Sequence, residues 1–163
     1  MNFAELARKD TQALEAIFAA GAAPRLESLP GWEWRGWNAP FFTKLLGIRK
    51  FIKGFFDGPA GVEGYNIPVR QGDFSESWSK KGRPFGFYNV SNAGASVLLD
   101  YGASPRNARW KPERVLRDFL VQPDPGNADL LLGKAYLDLC GPRVFSNFFI
   151  LERLAKTTWK PQP

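Results

Sequence analysis

The chain contains no histidine. That absence removes Ser-His-Asp and Cys-His triads, histidine-ligated haem and nearly every catalytic zinc site. A single cysteine, Cys140, rules out an intramolecular disulfide. Beside Gly141-Pro142 it reads as a buried or turn thiol, and no histidine is present to activate it as a nucleophile. No apolar run approaches the length of a membrane span. The first residues carry Glu5, Arg8, Lys9, Asp10 and Glu15, which is no signal-peptide core. A reduced, cytoplasmic location fits these absences. Basic residues form no polybasic tract, and the glycines of Gly58-Pro59-Ala60-Gly61 lack a phosphate-loop lysine. Neither a metal nor a cofactor is expected.

What is present is ordinary in bulk and unusual in aromatics. The 163 residues are 44% hydrophobic and 23% charged, as in a globular chain able to bury a sizeable core. Aromatic content is 15%, with 14 Phe, beside 16 Gly and 13 Pro. Aromatics favour strands and the other two supply turns, so the expectation is a mainly β fold with short strands. The net charge of +6 reads as a solubilising surface, or as attraction to nucleic acid or an anionic membrane.

Phe3, Leu6, Ala7, Leu14, Ile17 and Phe18 recur at helical spacings, which predicts an amphipathic helix over 3–20, stopped by Gly21 and Pro24. Such a helix plugs one end of a barrel or packs outside it. Residues 31–38 follow, with three of the six tryptophans. Trp32, Trp34 and Gly36 alternate with Glu33, Arg35 and Trp37, the period of a strand. Gly36 then leaves room for another side chain or a close backbone. Residues 40–56 are ambiguous and read as a short helix near 41–47, then a strand over 49–56. A membrane-surface helix is an alternative there. Further strands are expected over 62–69, 74–80, 83–90, 96–101, 115–122, 130–139 and 144–154, and 157–163 reads as a frayed tail.

About eight or nine strands joined by short loops favour an up-and-down antiparallel meander. At roughly eight strands it closes into a barrel wide enough for one small ligand. A two-sheet sandwich is the competitor, if residues 102–112 form a crossover.

The order of elements, Trp34-Arg35-Gly36 and the apolar closing run Phe148-Phe149-Ile150-Leu151-Glu152-Arg153 resemble lipocalin-like (calycin) proteins. Among these the chain is most like small bacterial proteins with a GXWXG motif. It departs from the motif at its first glycine, since position 32 is Trp and the nearest glycine is Gly31. The resemblance implies one domain over 1–163, with a helical lead-in (1–29), a barrel (30–155) and a tail (156–163). It also implies a structural pair, Trp34 packed at the closed end against Arg153.

Candidate chemistry lies in polar residues set among apolar ones. Tyr65, Tyr88, Asp100, Arg117, Asp118, Lys134, Tyr136 and Asn147 are the candidate ligand-binding residues. Strand phase is open, so either Asp118 or Arg117 faces inward. Asp100, Asp118, Arg117 and Lys134 can form an internal ion-pair set, because inward charges are costly unless paired. The alternative has them outward and solvated. The expected function is binding of a small hydrophobic or amphipathic molecule. A second possibility is an isomerase, cyclase or lyase, with Asp100 or Asp118 as acid–base group and Tyr101 or Tyr136 as donor to a developing oxyanion. A third is a basic surface module for a membrane or nucleic acid using Lys44, Arg49, Lys50 and Lys53. The row Trp78, Lys80, Lys81, Arg83, Phe85 and Phe87 can stack single-stranded nucleic acid, although strand alternation alone produces that spacing. No nucleic-acid partner is expected.

Overall fold

The computed structural model describes residues 1–39, 47–59 and 61–159. Eight antiparallel strands form one closed barrel, each paired with its neighbours in sequence, with the first pairing the last. They are β1 (Trp32–Asn38), β2 (Lys50–Gly58), β3 (Gly61–Pro68), β4 (Phe85–Ala93), β5 (Ser96–Asp100), β6 (Leu116–Val121), β7 (Leu130–Leu137) and β8 (Val144–Lys156). This is the expected up-and-down architecture and is consistent with a calycin-like fold. The sandwich alternative fails because β5 and β6 are direct partners, so residues 102–112 are a loop between neighbours.

Several boundaries differ from expectation. The predicted single helix is two, α1 (Phe3–Ala7) and α2 (Thr11–Ala20). Asp10 is extended and its side chain accepts from the Ala13 N–H, so it starts a new helix. Residues 74–80 form no strand, and only an isolated bridge joins Val69 to Lys80. The predicted helix near 41–47 falls almost wholly outside the described residues, as do Lys44 and the last four residues of the tail. Within the tail, Thr157 and Trp159 are not frayed. The Thr157 N–H donates to Gly31 O at 3.0 Å, and Trp159 packs 4.7 Å from the Tyr65 ring.

Two apolar cores share the barrel wall. The inner one holds Trp34, Phe51, Phe55, Tyr88, Leu99, Tyr101, Leu120, Phe149 and Leu151. The outer one gathers Ile52, Phe56, Tyr65, Leu132, Phe148 and Ile150 beneath Phe3, Leu6 and Leu14 of the two helices. The helices therefore pack outside the barrel rather than plugging it. Inward glycines make room for large rings. A Cβ on Gly36 would overlap the Phe51 ring, one on Gly64 the Tyr88 ring, and one on Gly133 the Phe149 ring.

The barrel's two ends differ. At one, the short 3₁₀ turn Leu26–Ser28 and the buried Leu29 cross the opening. There the Arg153 guanidinium lies 5.0 Å from the Trp34 ring centre and 4.6 Å from that of Trp32. Its Nη2 donates to Ser28 O at 3.4 Å, and its Nε pairs with Asp129 at 3.1 Å. The end holding Asn38, Phe85 and Leu116 opens into a pocket.

Candidate functional site

Register decides which side chains face this pocket. Phe51, Lys53 and Phe55 alternate with Ile52 and Phe56, and Lys53 lies opposite both Trp34 and Asn66. On β6, Asp118 pairs with Leu99 and Ala135, which places it on the inner face. The two charges meet inside the barrel at 3.0 Å, with side chains 3% and 6% exposed. Asn66 and Tyr101 complete the group. Lys53 Nζ donates to Asn66 Oδ1 at 3.0 Å and also to the Tyr101 hydroxyl. That hydroxyl donates to Asp118 Oδ2 at 3.0 Å. Asn66 Nδ2 is held by Gly86 O at 2.9 Å. Gly86 has φ +54°, and the β3–β4 register shifts there, bringing Phe85 opposite Asn66.

Both bonds to Asp118 use Oδ2. Among the described residues none reaches Oδ1. Lys53 Nζ also sits between rings, 4.9 Å from the centre of Tyr88, 5.2 Å from Tyr101 and Phe149, and 5.5 Å from Phe51. Burial pushes the Lys53 ammonium below its ordinary value, while the Asp118 charge and hydrogen bond oppose that fall. Burial, with the Asp118 charge adding to it, pushes the Tyr101 phenol well above its usual range, so it stays a neutral hydroxyl. Tyr88 shifts the same way for the same reasons.

The cavity above this group has a volume of about 210 Å³. Phe51, Phe85, Leu116, Ala135 and Phe149 supply apolar walls, and Lys53, Asn66, Tyr101 and Asp118 the polar floor. Asn38, Glu113 and Asn147 line it too. The two asparagines bond to each other, with Asn147 Nδ2 donating to Asn38 Oδ1 at 3.0 Å.

Of the candidate ligand-binding and catalytic residues, Tyr101, Asp118 and Asn147 line the pocket. Tyr88 is inside the barrel but beneath it, its hydroxyl donating to Gly54 O at 3.1 Å. The other candidates lie on the outer face and do not reach the interior. Asp100 pairs with Arg117 at 3.2 Å, and Lys134 with Glu15 at 2.7 Å. The expected internal set of four charges is therefore three separate pairs, of which only Asp118 is inside. Tyr136 packs against Phe119 and Phe145. Tyr65 is in the outer core, donating to Glu33 at 3.3 Å. Burial and the Glu33 charge push its pKa up to about 12 against the opposing Thr157 hydrogen bond.

Lys53 lines the pocket, although the sequence reads it as a surface cation. Its place between Phe51 and Phe55 at a two-residue period carried the signal, but a lysine in a basic stretch reads as surface. Two cations of the surface-module reading are buried. Besides Lys53, Lys50 Nζ donates to three backbone carbonyls, of Asp73, Glu76 and Ser77. In the row from Trp78 to Phe87, Trp78 is buried and donates to Gly36 O at 3.2 Å, and Phe87 is half-buried, while Lys80, Lys81, Arg83 and Phe85 are exposed. Cys140 is exposed, in the β7–β8 turn with φ +62°. Among the described residues, no group of three potential ligands is placed to hold a metal, and no helix is long and apolar enough to cross a membrane.

No family model, curated protein or solved structure matches the chain.

Proposed function

We propose that the chain is a lipocalin-like barrel that binds a small amphipathic molecule in the open half of its interior. The observation that carries this is an apolar pocket whose polar floor is already charge-balanced. Lys53 and Asp118 compensate one another at 3.0 Å. A carboxylate in the ligand would set a second anion against Asp118, and an ammonium a second cation against Lys53. The head group that fits is uncharged: a hydroxyl donating to Asp118 Oδ1, or a carbonyl accepting from the floor. Size narrows the body. A cavity of about 150 Å³ takes benzene, so about 210 Å³ takes one substituted ring or a branched chain of that bulk.

Single-ring alcohols and ketones, titrated by calorimetry and by tryptophan fluorescence, test this reading. Ala135 lines the pocket and is buried. Ala135→Leu fills ligand space and lowers affinity at least tenfold while the fold survives. Equal affinity in this variant, or no binding across the panel, defeats the proposal.

Acid–base chemistry of the isomerase, cyclase or lyase type is a second reading, favoured by Tyr101 donating to Asp118 at 3.0 Å. It narrows to those two residues, because Asp100 is turned outward.

A further inference from the structure

We infer that Lys53 is a carbonyl-condensing amine: a ring-sized aldehyde or ketone seated in the pocket forms an imine with Nζ, with Asp118 moving the protons. This rests on the binding reading above and names the substrate class of the same site. Among the described residues lining the cavity, Lys53 supplies the one primary amine. Three hydrogen-bond partners and a box of aromatic rings fix its position at the floor. A buried ion pair replaced by apolar side chains of similar volume is often neutral or stabilising. A lysine desolvated among apolar groups is, by contrast, a standard route to a nucleophilic amine. The lowered Lys53 value agrees with that environment.

The protons and charges balance without an outside reagent. The Lys53 ammonium gives one proton to Asp118 Oδ2, which lies 3.0 Å from Nζ. The Nζ lone pair then bonds to the carbonyl carbon as the C=O pair moves onto oxygen. A second proton passes from nitrogen to that oxygen, with the neutral Tyr101 hydroxyl placed to relay it, giving a carbinolamine. The C–O bond breaks, the nitrogen lone pair forms C=N, and the hydroxyl leaves as water with the proton from Asp118. Ammonium and carbonyl become protonated imine and water. One positive charge stands at nitrogen before and after, and Asp118 is its counter-ion in both states. Nothing is oxidised or reduced.

The test uses the full chain. Protein is incubated with benzaldehyde, any imine is trapped with cyanoborohydride, and the modified lysine is mapped by peptide mass. Benzyl alcohol, which cannot condense, serves as pocket probe and competitor. Expected is benzylation of Lys53 at least tenfold faster than at the exposed Lys81 and Lys111. It saturates with aldehyde, is suppressed by benzyl alcohol, and reaches half-maximal rate at a lower pH than the surface lysines. Mapping the unmodified sequence makes the test independent of any variant's folding. If benzyl alcohol binds and Lys53 is labelled no faster than the surface lysines, the covalent inference is overturned and the binding reading stands. If benzyl alcohol does not bind and Lys53 stays unlabelled, both fall.

Discussion

Breaking the Lys53–Asp118 pair from one side should cost far more than removing it whole. At 3.0 Å and an effective dielectric constant of about 20, the two charges attract by about 5.5 kcal/mol. Desolvation takes several kcal/mol per ion, so the pair is close to neutral for the fold. A lone survivor has no such balance. In Lys53→Met, Asp118 either stays charged in an apolar interior or takes a proton, which at pH 7 costs about 4 kcal/mol. In Asp118→Asn, Lys53 faces the same choice, and shedding its proton at pH 7 costs about 5 kcal/mol. Each single change should therefore destabilise by about 3–5 kcal/mol. The double change Lys53→Met/Asp118→Asn removes both charges, keeps an acceptor for the Tyr101 hydroxyl and leaves an apolar chain within the aromatic box. It should lie within about 1 kcal/mol of the parent. Urea unfolding followed by tryptophan fluorescence measures all four proteins, and the coupling energy should be at least about 5 kcal/mol. Additive single costs, or single costs below about 1 kcal/mol, would refute the claim that these charges are desolvated together.

Stability should rise and then fall with pH on the alkaline side. The folded Lys53 value is depressed below 10.5, so in the window between them the unfolded chain holds more protons and stability climbs with pH. Tyr88 and Tyr101 are raised above 10.0 and Tyr65 to about 12, so above 10.0 the unfolded chain loses protons first and stability falls. Thermal melts from about pH 8 to 11 should show the maximum, and Lys53→Met should flatten its rising limb. Gly36→Ala, whose Cβ would overlap the Phe51 ring, should cost about 1–3 kcal/mol in urea unfolding. An unchanged midpoint would mean that the ring is not confined there. Arg153→Leu removes the guanidinium from Trp32 and Trp34 and should cost about 1–2 kcal/mol with benzyl alcohol affinity unchanged. Weaker binding at constant stability would contradict a purely structural role for that end of the barrel.

The barrel was legible because eight segments alternate with a period of two and are joined by short loops. The phase of each strand was not, because both faces are apolar. On β2, Phe51 and Phe55 point inward while Ile52 and Phe56 point outward, and all four are buried. A sheet with one wet face writes its phase into the sequence. Here the helices and the chain around Trp159 cover part of the outer face, so that contrast is erased. Hence Asp118 and Arg117 could not be told apart by parity. Hence too, Lys134 and Tyr136 looked as eligible for the interior as Asn147. The break at Asp10 had a capping residue type as its signal, but the apolar spacing across it hid two helices in one pattern.

Exposure separates the interior pair from every other charge pair described. Glu33 and Glu63 are deeply buried, yet Lys80 and Arg106 opposite them are 43% and 27% exposed. Arg117 and Asp100 are 16% and 27% exposed, and Glu15 opposite Lys134 is 51% exposed. In each of these, water shares the solvation of at least one partner, so a purely structural ion pair explains what is seen. Only Lys53 and Asp118 are both below one tenth. Their burial takes a desolvation cost that an apolar pair would avoid, and they stand at the floor of a pocket with apolar walls and a polar base. A buried ion pair is weak evidence for stability, so the pair directs attention to what enters the pocket.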